Sequence, residues 1–141
     1  MQVEIRMLKA GEEGVLAHVA PDVFDNKIEP RLTKEFLADP RHHIAVAIDD
    51  GVVIGFASAL HYVHPDKPAE LWINEVAMVP SHQRRGLAKQ ILQALLAHGR
   101  GLGCKIAWVL TETDNTAALA LYASAGGKEL SRDTVHIEFE L

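Results

Sequence analysis

One carboxylate, Glu75, interrupts an apolar run just ahead of the segment Val79-Pro80-Ser81-His82-Gln83-Arg84-Arg85-Gly86-Leu87-Ala88. Burial there would raise its pKa and make it a better base, acting directly or through a water. It could equally be a structural carboxylate that accepts backbone or arginine hydrogen bonds. The segment after it reads as a buried strand passing through a short polar turn into a helix that starts Arg, Arg, Gly. Free N–H groups and the positive dipole end of such a helix attract an anion. Gly86 lets backbone approach a phosphate closely, and Arg84 and Arg85 add charge. A plain strand-to-helix turn with solvated arginines remains open on these residues alone. The chain has no G-x-x-x-x-G-K-[ST] loop, and Gly99-Arg100-Gly101-Leu102-Gly103 follows a helix, the wrong context for a dinucleotide fingerprint.

Other reactive side chains are less informative. Cys104 opens an apolar stretch and reads as core packing. His61, His64 and Asp66 lie on a strand edge and loop, a poor arrangement for a metal, and no metal site is expected. Asp22, Asp25, Glu29, Glu112 and Asp114 could line an acidic mouth that concentrates a cationic substrate, or serve as caps and solvated surface.

The elements that must position these groups fit one domain spanning residues 1–141. With 48% apolar and 23% charged residues the balance is that of an ordinary globular protein. A net charge of -5 argues against a nucleic-acid partner. The single cysteine cannot form an internal disulfide, and the first residues lack the basic and apolar regions of a signal peptide. No apolar run reaches the ~20 residues that span a bilayer. These features lead to the expectation of a cytoplasmic protein without a membrane partner.

Alternation predicts strands over Val3 to Leu8, His43 to Asp49, Val52 to Val63 and Val135 to Leu141. Asp49-Asp50-Gly51 has the chemistry of a hairpin turn. Glu70 to Val79 is apolar on both faces, as in a covered central strand, and Cys104 to Leu110 is a short apolar strand. Helices are predicted over Glu12 to Ala20, Thr33 to Ala38, Arg85 to His98, and from an Asn115 cap to about Ser124. Pro21 to Asn26 is a loop and a candidate substrate wall. The order implies an α/β domain with a mixed sheet.

Gln83-Arg84-Arg85-Gly86-Leu87-Ala88 resembles the Q/R-x-x-G-x-G/A pyrophosphate loop of the GNAT acyltransferases, with Ala88 in place of the more usual second glycine. Asn74-Glu75-Val76-Ala77-Met78 and Asp114-Asn115-Thr116-Ala117-Ala118-Leu119-Ala120-Leu121-Tyr122 are similar to neighbouring family segments and stand in the family's order. The resemblance implies a mixed, mostly antiparallel sheet flanked by helices, acetyl-CoA as cosubstrate and an amine as acceptor. It further implies that Met78 and Val79 offer backbone groups to the pantetheine arm and that Gln83, Arg84, Arg85, Gly86, Leu87, Ala88 and Lys89 cradle the pyrophosphate. Asn115 and Tyr122 would flank the thioester, Glu75 would act as base, and Tyr122 would protonate the leaving thiolate.

Val23-Phe24-Asp25, Phe36-Leu37-Ala38-Asp39-Pro40, Val53-Ile54-Gly55-Phe56-Ala57 and Trp72-Ile73-Asn74-Glu75 are similar to the aminoglycoside 3-N-acetyltransferase branch. That similarity implies a small cationic substrate met by Asp22, Asp25, Asn74, Glu112 and Asp114. A peptide, lysine or polyamine acceptor, or a non-catalytic acyl-CoA-binding module, are the competing expectations. Homodimers are common in the resembling family.

Overall fold

The computed structural model describes residues 2–141. The chain divides into two compact units, one ending at Leu110 and the other running from Thr111 to Leu141.

The first unit is built on a five-stranded sheet in chain order: β1 (Glu4–Met7), β2 (His42–Asp49), β3 (Val52–Tyr62), β4 (Glu70–Met78) and β5 (Ile106–Val109). All neighbouring pairs are antiparallel except β4 and β5, which are parallel, so the mixed, mostly antiparallel sheet read from the sequence is present. The β2–β3 hairpin closes through Asp50 (φ 50°) and Gly51 (φ 76°). Two successive positive φ values match the twist of the flanking strands, which is why an Asp-Gly pair serves there.

Strand alternation sorts the sheet into two faces. Leu71 and Ile73 of β4 pair with His61 and Ala59 of β3 and point one way. Helix α2 (Leu87–Gly101) covers that face and buries Leu87, Ile91, Leu92 and Leu95. The helix lies so close to the sheet that a Cβ on Gly99 would stand 2.8 Å from Leu71 Cδ2. Helix α1 (Pro30–Ala38) contacts β2 from the other side, where Phe36 meets the His42 ring at 5.3 Å.

Three histidines connect α2 to the sheet. His43 Nε2 lies 2.8 Å from His61 Nδ1, and His98 Nε2 lies 3.1 Å from His43 Nδ1. Burial, with the charges of the neighbouring histidines, lowers the His43 pKa to about 4.

Several elements depart from the sequence reading. Glu12 to Ala20 forms only a short 3-10 helix, Glu13–Ala17. Gly14 weakens a longer helix, and Val19 is drawn instead into a parallel bridge with Val53. Helix α1 starts three residues before Thr33, since Pro30 is well suited to a first helical position. Helix α2 starts at Leu87 rather than Arg85 and continues past His98 through Arg100 and Gly101. Strand β4 is covered on one face only; Asn74 is exposed and Trp72 half-buried.

In the second unit, α3 (Thr116–Ser124) begins at the expected cap, where Asn115 Oδ1 accepts the N–H of Ala118 at 3.1 Å. Val135 to Leu141 forms no strand, and Val135, Ile137 and Phe139 are 74%, 70% and 80% exposed. Alternation supplies a face, but a strand also needs a partner to take its backbone hydrogen bonds, and among the described residues this segment joins no sheet.

Candidate active site

Strand β4 carries an irregularity that decides where Glu75 points. Ile73 pairs with Ala59, and Glu75 pairs with Ser58, leaving Asn74 as an extra residue. In a regular strand Ile73 and Glu75 would share a face. The bulge reverses this, turning Glu75 away from α2 onto the face of Ser58, Phe56 and Trp72. Re-aiming a side chain in this way is a recurrent use of bulges.

The loop after the first 3-10 helix is placed over that same face. Ala20 N–H donates to the Val53 carbonyl at 2.9 Å, and Val53 N–H donates to the His18 carbonyl at 2.8 Å. Val23 is buried, and Phe24 stacks on Phe56 with ring centroids 4.1 Å apart. Asp25 is thereby brought near Glu75. Burial first, and the Asp25 charge second, raise the Glu75 pKa above the ordinary carboxylate value. No hydrogen-bond donor pairs with the Glu75 carboxylate among the described residues, so its lone pairs are open to a substrate or a water. Asp22 (φ 66°) is exposed in the same loop.

Beyond β4 the chain makes a 3-10 turn, Pro80–His82, then the segment Gln83 to Gly86 and helix α2. Arg84 (φ 62°) and Gly86 (φ 75°) are both left-handed. Gly86 precedes a helix without a side-chain cap, so the first-turn N–H groups of Leu87, Ala88 and Lys89 lack a side-chain partner. Arg84 and Arg85 are exposed, and neither takes part in an ion pair among the described residues. An uncapped helix end with adjacent free cations is a receptor for an anionic group of phosphate type.

The edge that would meet a pantetheine arm is partly engaged. Val79 N–H donates to Ile54 O at 2.9 Å, and the Gln83 side-chain amide donates to Met78 O at 3.1 Å.

In the second unit, Asn115 caps α3, and Tyr122 is half-buried on that helix with its phenol pKa raised by burial. Glu112 and Asp114 are exposed in the turn before α3, where their carbonyls accept the N–H groups of Asn115 and Thr116. Cys104 is buried as expected, though it lies before β5 rather than opening it, with its N–H donating to the Gly99 carbonyl at 3.1 Å, and burial raises its thiol pKa. His61 is bound into the histidine chain, and His64 packs against the edge of the Tyr62 ring.

The family model for the acetyltransferase (GNAT) family matches residues 14–126. The chain belongs to the GNAT family. Among curated relatives it is 32% identical over 104 residues to the N-alpha-acetyltransferase RimI of Mycobacterium tuberculosis, covering 74% of this chain and 63% of that protein. It is also 32% identical over 96 residues to the aminoglycoside N(6')-acetyltransferase type 1 of Salmonella typhimurium, covering 64% and 66%. This GNAT chain therefore spans just under two thirds of the length of both relatives. In fold it is similar to AAC(6')-Iy in complex with a bisubstrate analogue built from CoA and acetylneamine, with a TM-score of 0.80, 23% identity and 99% of each chain covered. A second aminoglycoside acetyltransferase, from an uncultured soil metagenomic sample, superposes with a TM-score of 0.81 at 21% identity over 100% of this chain and 99% of that one. The aminoglycoside relatives with a named position are N(6') enzymes, so the finer likeness to a 3-N branch finds no support among them.

Proposed function

We propose that this GNAT domain, taken as one unit over residues 1–141, transfers the acetyl group of acetyl-CoA to a primary amine of a small cationic acceptor. An aminoglycoside is the leading candidate. The observation that carries the reading is the placement of Glu75: a half-buried carboxylate with raised proton affinity, beside Asp25 on the face opposite α2. Glu75 takes a proton from the acceptor ammonium, and the freed amine attacks the thioester carbonyl. The tetrahedral adduct collapses to an amide and releases the CoA thiolate; the proton lost from the adduct nitrogen replaces the one Tyr122 gives to the thiolate, and no covalent enzyme intermediate forms.

Arg84, Arg85 and the first turn of α2 hold the pyrophosphate, joined by Gln83, Gly86, Leu87, Ala88 and Lys89. Met78 and Val79 meet the pantetheine arm through their backbone. Tyr122 protonates the thiolate and Asn115 assists at the thioester; both roles rest on the family resemblance. Asp22, Asp25 and Asn74 favour a polycationic acceptor, as Glu112 and Asp114 do by their charge.

A peptide N-terminus is the second reading, favoured by the likeness to RimI. Acceptor kinetics separate the two. With an aminoglycoside bearing a free 6'-amine, kcat/KM should exceed that for an alanine-initiated peptide, and Asp22→Asn with Asp25→Asn should raise KM for the aminoglycoside. Preference for the peptide would select the second reading.

A further inference from the structure

The turn that leads into the phosphate loop is tied to a distant hairpin by a side-chain hydrogen bond. His82 Nε2 lies 2.6 Å from Oδ2 of Asp49, the last residue of β2, and the two side chains are only 17% and 14% exposed. The other ring nitrogen is engaged as well, with His82 Nδ1 2.8 Å from the Ser81 hydroxyl. A carboxylate only accepts, so Nε2 carries the proton it donates to Asp49. Nδ1 then accepts from Ser81 when the ring is neutral and donates to it when the ring is charged. Both arrangements fix the ring plane.

The second Asp49 oxygen, Oδ1, is buried with no partner. A buried, half-satisfied carboxylate is destabilising by itself. The side-chain hydrogen bond of Asp49 goes to the turn before Gln83.

That turn needs support. Arg84 sits at φ 62° and Gly86 at φ 75°. A left-handed non-glycine residue is costly, and it persists only where its surroundings over-determine the backbone. Within the turn the connections are His82 N–H to Val79 O at 3.0 Å, Gln83 N–H to Pro80 O at 3.3 Å and the Gln83 amide to Met78 O at 3.1 Å, all local, while its base is held to β3 by Val79 N–H to Ile54 O at 2.9 Å. The Asp49–His82 pair ties the turn to a strand 33 residues away.

We infer that Asp49 and His82 are positioning residues that hold the Gln83–Gly86 segment in its anion-receiving conformation, so that CoA meets a preformed phosphate site. The inference rests on the reading of Gln83 to Lys89 as the pyrophosphate loop. If loss of the pair leaves the competent loop populated about one tenth of the time, apparent CoA affinity falls about tenfold.

Calorimetric titration with CoA and with acetyl-pantetheine, which lacks the pyrophosphate, tests the two levels separately. Wild-type protein should bind CoA much more tightly than acetyl-pantetheine; equal affinities would overturn the loop reading and this inference with it. Given that preference, Asp49→Ala should weaken CoA about tenfold (~1.4 kcal/mol) and leave acetyl-pantetheine within about twofold. Asp49→Asn, whose amide oxygen still accepts from Nε2, should recover most of the affinity. His82→Phe should match Asp49→Ala and stands in for it if that variant does not fold, and the double variant should be no worse than either alone. Unchanged CoA affinity in the single variants, or equal loss of both ligands, would overturn the positioning role while leaving the loop reading in place.

Discussion

Replacing Glu75 by Gln preserves the size of the side chain and its place on the bulged strand, and removes its capacity to take a proton. The acceptor must be a free amine to attack, and an alkylammonium with a pKa of ~10.4 is only about one part in a thousand free at pH 7.4. Without a base, the rate falls toward that fraction. General-base assistance is ordinarily worth 10²–10⁴-fold, so the two limits agree on a loss of about 10³ in kcat, or ~4 kcal/mol of barrier. The loss should shrink with pH. The variant gains about tenfold per pH unit as free amine accumulates, while the wild type is flat once Glu75 is ionised. Because burial and Asp25 raise the Glu75 pKa, the acid limb of the wild-type profile should lie above the ordinary glutamate range. Asp25→Asn should move that limb down without returning it fully, since burial is the larger cause. The assay is steady-state CoA release as a function of pH, with CoA affinity measured alongside. Parallel profiles for wild type and Glu75→Gln, within about threefold of each other, would refute Glu75 as the base.

Arg84→Ala with Arg85→Ala should weaken CoA binding by about tenfold or more at low salt and by less at high salt, since both side chains are exposed and screened; isothermal titration at two ionic strengths measures this. Folding stability should fall as the pH is lowered, through the histidine chain. The folded-state pKa of His43 is depressed from 6.5 to about 4, so its contribution is complete above pH ~6.5 and is lost as pH drops toward 4, amounting to at most about 3 kcal/mol. Thermal unfolding of His43→Leu should show a shallower acid dependence than the wild type. Leu95→Ala, at a fully buried position under α2, should cost about 2–5 kcal/mol in denaturant unfolding. Tyr122→Phe should slow turnover moderately rather than abolish it, because a thiolate is already a fair leaving group.

The sequence made the sheet legible wherever a local pattern was sufficient. The Asp50-Gly51 turn, the apolar stripe of α2 and the Asn115 cap each depend on neighbours a few residues apart, and each stands in the fold. The proposed phosphate loop could be picked out as a candidate for the same reason, being one contiguous segment. What depends on pairing across the chain was not visible. Nothing around Asn74 announces a bulge, because the bulge exists only relative to the register with β3; a plain alternating reading would have put Glu75 under α2. The His82–Asp49 pair and the His43–His61–His98 chain likewise join residues far apart in sequence. Val135 to Leu141 failed in the opposite way, since its alternation is strong but it joins no ladder among the described residues.

The most direct test of the central claim is to incubate the purified protein with acetyl-CoA and an aminoglycoside bearing a 6'-amine, following free CoA and acetylated acceptor together. The account predicts equal amounts of both, formed by the wild type and reduced about a thousandfold near pH 7.4 in Glu75→Gln. Tight CoA binding with no acetylated product from any aminoglycoside, peptide or polyamine would contradict it.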